Sequence, residues 1–431
     1  MNLYENYSVE RVPSDKRMTF WGVALVHMGM LTALDQFMLG AVLGHSMTYT
    51  DAFIAITAGS VIFFVATLGL GLAGMKEGMS GSLLARWCGF GRSGSVLVGL
   101  LIAISLLGWF GVQNSVFANS LDFATGHKLG FRLAATLTGL TLTIIVAFGF
   151  RALRLAARIA VPAFIISIIY ISSVVLSGHS LNELSTLSMH NNTIGISEAI
   201  TIVVGGSIVA SLITPDLTRY YSSSRQVFWM VILTIIAGEY VINGLAIIAA
   251  IMLKTSDVVS IMSEVTGGIG LLVVVFSTMR INDINLYSST LGIANAIEAV
   301  FRKKISYPVL TLLIGTTGTI LSVMGILDRF IDFLNVLGVL FPPVIAVMLV
   351  DYFILRSDRQ LLNVSKGNNE LPPDTHKKGW NAIVSSIAGA VAGYFITVGV
   401  PALNSVIVAS AMYWIIATIQ IHIYRERLGD T

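Results

Sequence analysis

Cysteine is nearly absent from this chain. Cys88 is the only one among 431 residues, which excludes an internal disulfide and a cysteine-built metal cluster. Charge is scarce too: Asp, Glu, Lys and Arg make up 11% of the sequence, against about 25% in soluble domains. There is no phosphate-cradling glycine loop, no HExxH pair and no nucleophile–histidine pairing within membrane reach. These absences argue against an enzyme and imply neither a cofactor nor a metal. The net charge of +3 gives no reason to expect a nucleic-acid partner, because the basic residues gather in loops. No cleavable signal peptide is expected: the N-terminus is polar for about 17 residues, and the first apolar stretch outruns a signal sequence.

What is abundant is apolar sequence. Hydrophobic residues make up 55% of the chain, mean hydropathy is +0.82, and the runs reach the roughly 20 residues that a helix needs to cross a bilayer. The sequence predicts an all-α polytopic membrane protein with twelve spans, near 19–44, 52–75, 94–120, 131–150, 158–177, 194–213, 226–253, 264–299, 307–326, 330–355, 380–399 and 402–424. The connector 356–379 reads as solvated, and 1–18 and 425–431 as polar tails. Lysine and arginine alternate between loops. Of the 26, only Lys128, Arg132, Lys254 and Arg329, at the opposite ends, and Arg280, inside a span, depart from one side. By the positive-inside rule that side is cytoplasmic, with both termini.

Several spans carry residues that lipid does not favour. Residues 275–295, VFSTMRINDINLYSSTLGIAN, continue an apolar run yet hold Arg280, Asn282, Asp283, Asn285, Tyr287, Ser288 and Ser289. A charge at mid-bilayer costs roughly 2.5–3.5 kcal/mol on insertion scales, so this helix turns inward. Helical spacing puts Arg280, Asp283 and Tyr287 on one side, and Asn282, Asn285 and Ser289 on an adjacent one. One reading is that Arg280 and Asp283 neutralise each other as helix glue; the other is a wall of a transport site. The first span has Asp35 and Gln36 near its middle, and the sixth has Gly205-Gly206-Ser207. These positions correspond if spans 1–5 (19–177) and 6–10 (194–355) are inverted repeats, whose paired discontinuous helices bind substrate near the midplane. Close helix packing by small residues is the alternative for the glycines. In the third span Trp109 and Gln113 share a helix face, offering a π-face and an amide to a planar hydrogen-bonding heterocycle. His27 reads as a helix-packing group.

GWFGV in the third span, VVGGS and TPDLTRYY at the sixth, NDINLYSSTLGIAN in the eighth and FPPVIAVMLVDYFILR in the tenth resemble the nucleobase–cation symporter-1 family, the purine–cytosine permeases, over essentially the whole chain. The resemblance implies a LeuT-type fold, two inverted five-helix repeats plus two extra helices. It implies substrate stacked on Trp109, with Gly206, Ser207 and Asn282 completing the site. Some positions depart from the pattern. Ser105 stands where the cytosine-transporting branch has glutamine, while Gln113 lies one turn after the tryptophan, as in the hydantoin-transporting relatives. Ser207 stands at an expected aromatic, and Arg280 and Ile281 replace the hydroxyls of the sodium site. A guanidinium offers only donors, so the expected coupling cation is a proton rather than sodium.

The functional expectation is a bacterial inner-membrane secondary transporter that imports a cytosine-like pyrimidine, purine or hydantoin-like heterocycle by alternating access. The alternatives are a same-fold carrier of a charged amine paired with Asp35, and a polar-cored channel or sensor. For the coupling proton, Asp35, Glu239 and Asp283 are the intramembrane carboxyls. Arg280 beside Asp283 favours that group's charged form, whereas Glu239 stands in the apolar run VILTIIAGEYVINGLAII.

Overall fold

The computed structural model describes residues 10–148, 193–303, 305–367, 370–372 and 379–428, with 166, 169, 170, 173 and 174 between them. The span expected at 158–177 thus lies outside the described residues, five positions apart. The described elements are helical: α1 (Phe20–Leu31), α2 (Leu34–Ser46), α3 (Tyr49–Glu77), α4 (Gly91–Ala124), α5 (Phe131–Phe148), α6 (Ile196–Thr218), α7 (Ser224–Leu253), α8 (Gly268–Phe301), α9 (Tyr307–Val323), α10 (Ile326–Leu355), α11 (Trp380–Phe395) and α12 (Pro401–Leu428). Seven of these are long and apolar enough to cross a membrane, and the bent pair α1–α2 makes an eighth. The outer faces are apolar as well: Val61 and Val65, one turn apart on α3, are both more than half exposed. Such a surface suits hydrocarbon rather than water.

Local chemistry sets the ends. Thr48 caps α3 by accepting the Asp51 N–H at 3.1 Å, and Gly78 closes that helix in the left-handed conformation at φ 67°. Gly267, at φ 60°, separates a short helix, Val258–Thr266, from α8, so α8 begins four residues later than the expected 264. The first span does break, with a bend of 41° between α1 and α2. Ala33 is extended there, and Thr32 Oγ1 bonds back to Met28 O at 3.0 Å. The sixth span does not break. α6 runs uninterrupted through Gly205-Gly206-Ser207 and even through Pro215, which corrects the expectation of a discontinuous partner for α1–α2.

The glycines explain why α6 stays whole. A Cβ built on Gly205 would strike Leu334 O of α10, and one on Gly338 of α10 would strike Thr201 O of α6. This pair of helices touches backbone to backbone. α2 meets α7 in the same way, with a Cβ on Gly40 falling 2.6 Å from Asn243 O. Two packed groups result: α1, α2, α3, α6 and α7 form one, and α4, α5, α8 and α9 the other. α10 lies on α6, α11 and α12 and reaches α4 with its first turns.

At one end of the bundle a single buried guanidinium gathers distant segments. Arg11 pairs with Glu77 at 3.1 Å and also donates to Leu362 O, Ser365 Oγ and Glu370 O at 2.9–3.2 Å. Glu77 Oε1 accepts the Tyr352 hydroxyl at 2.7 Å.

Candidate functional site

α4 contributes Trp109, which is buried and met edge-on by Phe330 and Phe333 of α10, with ring centroids 6.0 and 5.3 Å away. Gly108 makes the approach possible, since a Cβ there would lie 2.6 Å from the Phe333 ring. One turn on, Gln113 is wholly shielded from solvent, and neither its Nε2 nor its Oε1 has a hydrogen-bond partner among the described residues. Its neighbour Asn114 is the opposite case, donating to Ala135 O at 3.0 Å and accepting from Thr138 at 2.9 Å.

α8 faces α4 in antiparallel register. Ser289 donates to Ala103 O at 2.7 Å, and a Cβ on Gly292 would lie 3.3 Å from Gly99 O. That register brings Asn282 level with the Trp109–Gln113 turn. Asn282 is fully buried, with both amide atoms unpartnered among the described residues. Unpaired buried amides cost about 1–3 kcal/mol each. The Ser105 hydroxyl donates to Ile102 O of its own helix at 2.7 Å, which leaves its oxygen as an acceptor.

A second polar cluster lies where α2, α6 and α7 meet. Gln36 Nε2 points at Gly206 O, 3.5 Å away, and Leu39 of the same helix packs against Gly206. Asn243 Nδ2 donates both to Gln36 Oε1 at 3.2 Å and to Glu239 Oε2 at 2.9 Å. Ser207 lies against the same carboxyl while donating to Val203 O. Glu239 itself sits in a π-helical stretch of α7, Ile235–Ile242, a distortion frequent at functional sites. Asp35 heads α2 and accepts the Gln36 N–H at 3.0 Å.

Arg280 and Asp283 do not pair; among the described residues neither makes an ion pair, and Asp35 does not reach Arg280 either. The guanidinium lies against the last turn of α1, its Nη2 3.6 Å from where a Gly29 Cβ would stand. Cations suit that carbonyl-bearing helix end. Asp283 Oδ1 is buried and has no hydrogen-bond partner among the described residues. His27 ties three helices, with its ring nitrogens 2.9 Å from Thr214 and Thr234 hydroxyls. Sequence reasoning missed Phe330, Phe333 and Asn243. Only Asn243 left a signal, four residues after Glu239 in an apolar run.

An all-helical shell that is apolar outside and holds unpaired amides and carboxyls within defines a membrane transporter. The fold agrees: the solved inward-facing conformation of Mhp1 aligns with a TM-score of 0.79 over 96% of this chain and 94% of that one, at 20% identity. By sequence the chain is 28% identical to the cytosine permease of Escherichia coli strain K12 over 421 residues, 96% of this chain and 95% of the relative. It is 23% identical to the hydantoin permease of Microbacterium maritypicum over 364 residues, 79% and 73% of the two chains. Residues 11–417 match the family described as permeases for cytosine/purines, uracil, thiamine and allantoin, and the chain belongs to that family. It is a multi-pass membrane transporter, not an enzyme.

Proposed function

We propose that the protein imports a nucleobase or a related planar heterocycle, of cytosine, purine or hydantoin type, by alternating access across a bacterial inner membrane. The observation that carries this reading is the pair Gln113 and Asn282, two wholly buried amides without partners among the described residues, level with Trp109. A flat ring with N–H and C=O groups on its edge fits that set of donors and acceptors. The printed activities of the cytosine and hydantoin permease relatives point to the same chemical class.

The finer topology follows the resemblance: twelve spans, inverted repeats over 19–177 and 194–355, spans 11 and 12 within 380–424, and both termini in the cytoplasm. The coupling ion is a proton. Arg280 brings a fixed positive charge to the end of α1, where a sodium ion would need oxygen ligands. Glu239 is the carboxyl that takes the proton. A thermal-shift screen against pyrimidines, purines, hydantoins and small amines, with and without sodium, tests the reading. A ligand at a hundred times its Kd stabilises by about 2.7 kcal/mol. Stabilisation by a heterocycle, unchanged by sodium, is expected; stabilisation by amines alone, or by nothing in the panel, overturns it.

A further inference from the structure

The amide nitrogen of Asn243 touches both a titratable group and a residue of the site. Its Nδ2 bridges Glu239 Oε2 and Gln36 Oε1; its Oδ1 and Glu239 Oε1 are buried and make no close hydrogen bond among the described residues, with Ser207 lying against the carboxyl. An ionised carboxylate only accepts, so it fixes the Asn243 NH2 toward itself. That NH2 then holds Gln36 Oε1, and the Gln36 NH2 faces Gly206 O. A protonated carboxyl gains one O–H donor while its other oxygen still accepts, and a proton on Oε2 sets that donor against Asn243. Its O–H then needs an acceptor, which Asn243 supplies by turning Oδ1 toward it.

We propose that Asn243 is the positioning residue through which the protonation of Glu239 sets which end of the Gln36 amide meets Gly206 O; this rests on the substrate and proton reading above. With Glu239 charged, Gln36 satisfies the Gly206 carbonyl itself and the contact between α2 and α6 is closed. When a proton binds to Glu239, the Asn243 and Gln36 amides reverse in turn. Two acceptors, Gln36 Oε1 and Gly206 O, then stand side by side. They repel each other until a donor edge enters, and an N–H-bearing heterocycle has one. Proton binding therefore strengthens substrate binding, and by linkage the substrate strengthens proton binding to the same degree, as symport requires.

Other groups near this carboxyl are Asp35 at the head of α2, Ser207 of α6 and, further along α7, His27 of α1 between Thr214 and Thr234. At this level α3 presents Thr57 to Tyr240. None of them bridges Glu239 to Gln36.

The test is uptake of labelled cytosine, uracil and hydantoin by the full-length protein in proteoliposomes, with KM and kcat measured at mildly acid and mildly alkaline pH. In the wild type KM falls about tenfold or more on acidification, within the usual 5- to 150-fold range of coupling between sites. Glu239→Gln, a permanent donor, holds KM near its acid value at both pH values. Asn243→Ala and the more space-filling Asn243→Leu make KM independent of pH while kcat stays measurable. If neither Asn243 variant folds, Gln36→Met carries the test through the same loss of the KM response. A wild-type-like acid response of KM in the Asn243 variants, or in Gln36→Met, overturns the inference and leaves the substrate reading intact. Absence of wild-type uptake of all three compounds and of labelled adenine refutes the substrate reading, and the inference with it.

Discussion

Gln113 and Asn114 are adjacent amides on α4 with opposite fates, one without partners among the described residues and one spent on Ala135 and Thr138 of α5. Helical spacing put Gln113 on the Trp109 face, but nothing in the sequence says which amide a neighbouring helix will consume. The same limit applies to Arg280 and Asp283: three residues apart they suggest a pair, yet the guanidinium lies against Gly29 and Asp283 Oδ1 is buried with no partner among the described residues. Base–aromatic stacking is worth roughly 1–3 kcal/mol. Trp109→Ala should therefore raise the uptake KM about ten- to a hundredfold, and an unchanged KM at normal expression would remove Trp109 from the site. Replacing sodium by potassium or choline at constant pH should leave uptake unaltered. A steep, saturable sodium requirement would show that a cation binds away from Arg280.

Among elements, hydropathy located most described helices to within a few residues because long apolar runs dominate such sequences. It could not decide between a broken and a whole helix. Gly205-Gly206 reads equally as a hinge or as a place for close contact, and the deciding partners, Leu334 and Gly338, lie far along the chain. Overpacking costs typically 1–3 kcal/mol. Gly338→Val should accordingly lower the unfolding temperature of the purified protein measurably. Gly244→Ala, where a Cβ meets nothing within 4 Å, should leave it unchanged or raise it. Equal effects of the two would mean that α6 and α10 are not held in backbone contact.

For the whole molecule, the charged latch at Arg11 matters more than any surface pair. Breaking a buried ion pair by removing one partner costs about 3–5 kcal/mol, whereas exposed pairs contribute little. Arg11→Ala should lower thermal stability strongly, and Arg329→Ala, which removes an exposed partner of Asp332, should not; matching shifts would contradict this assignment. The latch also constrains the order of assembly. The segment around Arg11 leaves the ribosome early, yet Leu362, Ser365 and Glu370, which receive its guanidinium, follow about 350 residues later. Through most of synthesis that tail has only the Glu77 part of its seat. Nascent chains ending before Leu362 should lose their N-terminus to a protease supplied on that side, and chains that include the connector should keep it.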